Sequence, residues 1–268
     1  MFRIFLHSND PTTKSDDTKS KFAVHLSESY DEMTNYECAL EQIIVPNQMF
    51  NIRHGRGGVL MKMAIFQGDG YKFVHHSGDV PPGFYSSVSK VVAEVKKIID
   101  EGLQPYREQY PVEQYPLHEV ISMTQDDTRV LVKISTPLDH IHFFHDVALA
   151  LGFPPSSREG QSYVENTALG LKIGIPRTVE SIFVYSDVIM EQCVANVSSP
   201  LLRIVHVDRS SDTSTHHSYT NLQFVPVRAS FFNSIEVELR DGGGDLIMFN
   251  PDAGIVTLVL LFKAIKGR

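Results

Sequence analysis

Tryptophan is absent from this sequence, and cysteine occurs only at Cys38 and Cys193. Two thiols do not make a disulfide framework. Each lies in an apolar stretch, residues 36–45 and 189–197, where a small buried thiol in a reducing compartment is expected. Neither has a CxxC partner or an adjacent basic residue to activate it. Basic residues are in deficit, 24 Lys+Arg against 32 Asp+Glu for a net charge of −8. That leaves no surplus to neutralise a row of phosphates, so sequence-specific nucleic-acid binding is not expected. Long apolar runs are missing too. The longest, residues 255–262, falls well short of the roughly twenty residues of a membrane-spanning helix, so it is expected to be a buried strand of a soluble protein without membrane insertion. Residues 1–7 lack the apolar length and cleavage site of a secretory signal, and the Asn196-Val197-Ser198 sequon therefore reads as accidental. No Gly-x-Ser-x-Gly occurs. The glycines at 242–244 lack the Lys-Ser/Thr of a phosphate loop and lie between Asp241 and Asp245, which would repel phosphate. No catalytic residue or cofactor is expected.

What is present is β pattern. The 42% hydrophobic content is ample for a core. Phe2, Ile4 and Leu6 alternate with their neighbours, as do Phe22, Val24 and Leu26, with a polar loop between them. Further strand-like segments are 36–45, closed by Pro46, and 59–67, then 129–134, 169–175, 181–188, 201–207, 221–227, 234–239, 246–249 and 255–262. This makes roughly ten to twelve short strands, typical of a sandwich or barrel rather than of alternating βα units. Ile235, Val237 and Leu239 face one way and Glu236, Glu238 and Arg240 the other. The run 241–245 then turns the chain towards Leu246, the clearest hairpin in the sequence. Val88, Val91, Val92, Val95, Ile98 and Ile99 recur at helical spacing, with Ser86 or Ser87 as cap and Gly102 as terminator. A shorter helix is expected over 143–151, ending at Gly152. Tyr106 to Pro116 holds Gln-Tyr-Pro twice and reads as an extended loop. No composition break marks a domain boundary.

The densest cluster of possible metal ligands is His140, His142 and Asp146. On a β-sandwich, His-x-His with an acidic residue four positions on resembles a cupin site and raises the alternative of a metalloenzyme. The cupin pattern, however, needs Gly where this chain has Ile134 and Glu where it has Asp146, and a second histidine at convincing spacing is missing, although His206, His216 and His217 exist. Histidines flanking a strand-to-helix junction are the plainer reading, with no metal held. The pairs His75-His76 and His216-His217 are expected to be exposed. A jelly-roll module binding carbohydrate or a receptor is the third class, and the lack of Trp, the most useful aromatic against a sugar face, counts mildly against it.

Ordered blocks across the chain carry a resemblance. They are Ser8-Asn9, then Lys21 to Leu26, the Tyr36-Glu37-Cys38-Ala39-Leu40-Glu41-Gln42-Ile43-Ile44-Val45-Pro46-Asn47 stretch, Pro82 to Ser86 and Leu151-Gly152-Phe153. Later come Phe183 to Val188, Pro200 to Val205, Phe224 to Val227, Ser234 to Asp241 and Val256 to Phe262. Together they resemble the minor capsid (penton) proteins of Polinton/Maverick elements and adintoviruses. Gln48-Met49-Phe50 departs from the Trp-containing stretch of that family. The resemblance implies an all-β protein with one or two helices: a single jelly-roll β-sandwich spanning 1–268, with 68–117 as a helix-containing insertion. It also implies a homopentamer at the fivefold vertices of an icosahedral capsid in the virion, beside a double-jelly-roll major capsid protein, with synthesis in the host cell cytoplasm and assembly expected in the nucleus. A closed ring needs two different complementary flanks on each subunit. The tyrosines of the insertion, Tyr71, Tyr85, Tyr106, Tyr110 and Tyr115, are the candidate interface residues, since aromatics on an irregular excursion are enriched at interfaces. Packing the helix on the sheet is the alternative use for them. The polar arm 10–21 and the basic residues Lys263, Lys266 and Arg268 are candidates for docking to neighbouring shell proteins.

Overall fold

The computed structural model describes residues 1–10, 18–123, 130–132, 137–153, 179–194, 196–208 and 213–265. The strand expected at 169–175 lies outside them, as do residues 11–17 of the arm and 266–268 of the tail. In chain order the elements are β1 Phe2–His7, β2 Lys21–Asp31, β3 Tyr36–Pro46, β4 Gly58–Gln67 and β5 Gly70–Asp79. Helix α1 Val88–Leu103 follows, then α2 Leu117–Val120, β6 Ile121–Met123, β7 Val130–Val132, β8 Leu138–Phe143 and α3 His145–Ala150. The last stretch holds β9 Ser181–Ser186, β10 Gln192–Val194, β11 Val197–Ser199, β12 Leu201–His206, β13 Ser214–Ser218, β14 Val225–Pro226, β15 Phe231–Arg240 and β16 Thr257–Ala264. Contacts divide the chain into two compact units, Met1–Met49 with Thr178–Arg268, and Phe50–Arg177. The helix-containing segment 68–117 falls inside the second, which begins before it and ends after it.

In the first unit one sheet runs β1-β16-β3-β13, with β14 also on β3, and the other runs β12-β9-β15-β2. The pairing is nested. The first strand pairs with the last (β1/β16), β2 with β15, β3 with β13, and β9 with β12. A long antiparallel hairpin rolled upon itself gives this order, and it is the all-β jelly roll. The second unit is the excursion between β3 and β9. Alternation fixes which side chains meet: Ile4 and Leu6, Phe22 and Val24, Ile235, Val237 and Leu239, and Leu258, Leu260 and Phe262 all enter one core. Aromatic rings join the two sheets, Phe2 stacking on Tyr30 and on Phe262 at 5.0 Å each. Strand β16 is apolar on both sides, and Val259 and Leu261 are buried as well. Nearby, Arg3 bridges to Glu41 and Lys263 to Glu37 at 3.1 Å, laying ion pairs across the outer face. The Arg3 hydrogen bond holds the Glu41 carboxyl below its usual range.

The turn after β15 forms as expected. Asp241 Oδ1 accepts from Gly243 N at 2.8 Å and Asp245 N at 3.0 Å, and Gly244 takes φ 88°, a left-handed angle that glycine adopts without strain. Beyond the turn, pairing is limited to the Arg240/Leu246 bridge and the bond from Ile247 N to Leu239 O, so 246–249 is not a full strand. The run 221–227 likewise shrinks to β14. Cys38 is buried, which pushes its thiol pKa up, whereas Cys193 is exposed. The expectation for Cys193 is corrected because β10 and β11 form a two-stranded sheet of their own, and a ribbon of that kind cannot bury both faces.

The second unit is built on the sheet β5-β4-β8 and a separate core. Val59, Met61, Met63 and Ile65 of β4 are buried, and so are Val88, Val91, Val92, Val95, Ile98 and Ile99 of α1. Each such side chain contributes about 1.5–3 kcal/mol when fully buried. Ser87 is the N-cap residue, as expected, but the helix continues through Gly102 to Leu103. Gly102 is there for space: a Cβ would lie 2.7 Å from His76 Cδ2 and from Met61 Cε. It marks the point where the helix backbone meets side chains of the sheet, not the helix end. Strand β5 is absent from the sequence reading, because most of its residues are exposed and its few apolar ones do not advertise a core face.

Candidate functional site

Strand parity separates the two faces of the β5-β4-β8 sheet. Met61 and Met63 point inward, so Leu60, Lys62, Ala64 and Phe66 of β4 point outward. In the register, Phe66 stands opposite Tyr71, Ala64 opposite Phe73, Lys62 opposite His75 and His140, and Leu60 opposite His142. The outer face is therefore aromatic at the β4–β5 hairpin, where Phe66, Tyr71 and Phe73 are 47%, 64% and 50% exposed. It is imidazole-rich further along. Phe66 and Tyr71 meet edge to face at 5.5 Å, and the Lys62 ammonium lies 3.9 Å from the Phe73 ring centre. Lys62 also pairs with Asp139 at 3.0 Å. Burial alone would push the Asp139 carboxyl up, but hydrogen bonds from Lys62 and His140 hold it below its usual range. Exposed rings of this kind on a rigid strand are the usual anchors of a protein contact.

The candidate tyrosines divide sharply. Tyr71 is on this outer face. Tyr110 is 5% exposed, and its hydroxyl takes a bond from Phe66 N at 3.3 Å and lies 3.4 Å from Ala64 O, so it props the hairpin from below. Tyr115 packs edge to face on Tyr110 at 5.3 Å. Tyr106 and Tyr85 are part-buried against the same core. The Tyr85 hydroxyl donates to Pro81 O at 2.8 Å, and burial raises its pKa. Of the three exposed rings on the outer face the sequence singled out only Tyr71 and gave no weight to Phe66 and Phe73. Their signal was the i, i+2 spacing of Tyr71 and Phe73 opposite an aromatic strand end.

His140, His142 and Asp146 are not used together. The histidines share a face of β8, while Asp146 opens α3 fully buried with both oxygens committed. Arg53 donates to Asp146 Oδ2 from its backbone N at 3.0 Å and from Nε at 3.1 Å, and to Oδ1 from Nη2 at 3.1 Å; Arg56 approaches to 3.7 Å. Among the described residues no three His, Cys, Asp or Glu side chains gather where they could hold a metal ion. The candidate docking cations are partly occupied as well. Lys19 donates to the carbonyls of Asn250, Pro251 and Ala253, Lys21 pairs with Glu238 at 2.6 Å, and Lys263 is held by Glu37.

The first unit carries a cleft of about 560 Å³ along β12 and the end of β13. The Arg203 guanidinium lies 3.5 Å from the centre of the Tyr219 ring, which stacks with His217 at 5.8 Å. His217 Nε2 donates to His206 O at 2.7 Å, tying the two strands together.

No protein family and no curated protein sequence matches the chain. Among solved structures, the crystal structure of the selenomethionine-labelled mavirus penton protein superposes with a TM-score of 0.52 at 13% sequence identity, covering 98% of each chain. Among the described residues no helix is long and apolar enough to cross a membrane. The chain is a mainly β jelly-roll sandwich with a helix-bearing excursion, and it shares its fold, end to end, with the mavirus penton protein.

Proposed function

We propose that this chain is a structural capsid subunit, a penton protein that closes as a homopentamer at the fivefold vertices of an icosahedral shell and there contacts a double-jelly-roll major capsid protein. The observation that carries the reading is the fold likeness over 98% of both chains, because it includes the excursion between β3 and β9 as well as the sandwich. A bare jelly roll serves lectins and enzymes as readily as capsids. The subunit acts in the virion by complementarity of surfaces, not by chemistry at a centre. Heterologous contact between one flank of a subunit and a different flank of its neighbour closes the ring.

Phe66, Tyr71 and Phe73 are the anchors of one such contact in this reading. Their stacking faces suit a protein partner better than a sugar, since Lys62 already covers Phe73. The test is the mass of the purified chain in solution, alone and with its major capsid protein. A species of five chains is expected, and the paired substitution Tyr71→Ser with Phe73→Ser should raise the concentration needed for assembly by about tenfold or more, the scale of losing aromatic hot spots. A chain that stays monomeric under every condition and never enters particles overturns the proposal.

A further inference from the structure

The cleft beside β12 differs in charge from the rest of the chain. Over the whole sequence acidic residues outnumber basic ones, 32 to 24. Among the described residues lining the cleft none is acidic, and the one permanent charge is the Arg203 guanidinium. That guanidinium has no carboxylate partner among the described residues. It rests on Tyr219 and donates from Nη1 to Asn221 O at 3.3 Å. Gln192, Gln223, His206 and His217 line the cleft with Arg203; Gln192 Nε2 is held by Leu201 O and His217 Nε2 by His206 O, so Arg203 and Gln223 are the side chains through which the cleft can donate to a ligand.

Backbone geometry adds a second observation. Strand β12 ends its sheet and β13 ends the other, so the cleft runs along the side on which the jelly roll is left open. Among the described residues no further strand pairs with this edge; the Leu201 and His206 carbonyls at its two ends are taken by the Gln192 and His217 side chains, and the main chain between them is what an added segment can take up. Leu201 and Ile204 supply apolar surface in the same cleft, with Ile204 42% exposed. The Tyr219 ring, the aromatic surface on which a sugar would stack, is already engaged by Arg203 and His217.

We infer that this cleft receives an extended peptide segment of another protein, added beside β12 with an Asp or Glu side chain directed at Arg203. The main chain of the segment lies along the strand edge between the Leu201 and His206 carbonyls, and its carboxylate pairs with the Arg203 guanidinium, which has no acidic partner among the described residues. The site is separate from the aromatic face assigned to ring closure, so either can fail without the other.

The experiment selects a displayed library of random short peptides on the immobilised full chain, then titrates the enriched peptides by fluorescence anisotropy. Enriched peptides should carry an acidic residue among β-favouring neighbours. Arg203→Gln should weaken them by about tenfold or more, the scale of a hydrogen bond to a charged group. Because loss of Arg203 could loosen Tyr219, Gln223→Glu is measured too. It leaves the Arg203–Tyr219 contact in place, sets a negative charge at the exposed lip of the cleft, and should also weaken binding. No enrichment, enrichment without acidic residues, affinity unchanged from the parent in either variant, or displacement of the peptides by N-acetylneuraminic acid would each overturn the inference. Solution mass of the Arg203→Gln chain distinguishes this from failure of ring assembly: the peptide affinity falls while the ring is kept.

Discussion

The jelly-roll unit and the excursion solve the same problem, a sheet with one buried face, in different ways. In the first, two sheets bury each other, and the outer side of the central β3-β16 pair carries ion pairs over small and aliphatic residues. In the second, a single three-stranded sheet is covered on its inner face by α1 and leaves aromatic rings on its outer face. A protein surface usually avoids grouping large exposed rings, and when it does group them the patch marks a contact. In the proposed reading the excursion carries a contact face and the sandwich a stability role.

The largest expected effect tests the sandwich. Phe262→Ala removes a fully buried ring stacked on Phe2 and packed near Phe232, at a cost of about 3–5 kcal/mol. Hydrogen exchange should show the loss in the amides of β3 and β16. An equal loss in α1 would make the two cores a single cooperative block. Next is Asp146→Ala, which strands the Arg53 guanidinium beside a vacated carboxylate and should cost on the order of 3 kcal/mol, read in the amides of α3 and β4. Gly102→Val forces side-chain atoms into the space of His76 and Met61, and about 1–3 kcal/mol of destabilisation is expected, confined to the excursion.

The smallest effect concerns pH. Burial, with the nearby Glu236 charge, raises the Asp187 pKa against the hydrogen bond from Glu236 N. A carboxyl whose pKa is higher in the folded state favours folding below its unfolded pKa, and that contribution is lost as pH rises through the folded value. Asp187→Asn keeps the accepting oxygen and removes the charge. Its thermal midpoint should exceed that of the parent near neutral pH and converge with it in acid, where the parent carboxyl is protonated. A midpoint gain that persists in acid would show that charge burial is not the cause.

Much of this architecture was legible in the sequence. Strands β3, β4, β9, β15 and β16 and helix α1 lie where alternation or helical spacing put them, since each buries one face and its pattern is local. Strand β5 was not legible, because most of its residues are exposed and its few apolar ones mark no core face. Gly102 looked like a helix stop, because a glycine kept for a close approach has the same local appearance as a glycine kept for its backbone angle. Asp146 looked like a third metal ligand until Arg53, 93 residues away, claimed it.

Composition and periodicity determined that this chain is mainly β, lacks a disulfide framework, and carries one amphipathic helix near Val88–Leu103. Only the tertiary structure decided that β1 pairs with β16, that four of the five tyrosines serve the core, and that Arg203 meets no acid among the described residues of its cleft. The physical reason is range. Burial of a side chain on its own strand is written every second residue, whereas strand pairing and charge balance depend on residues brought together from distant parts of the chain.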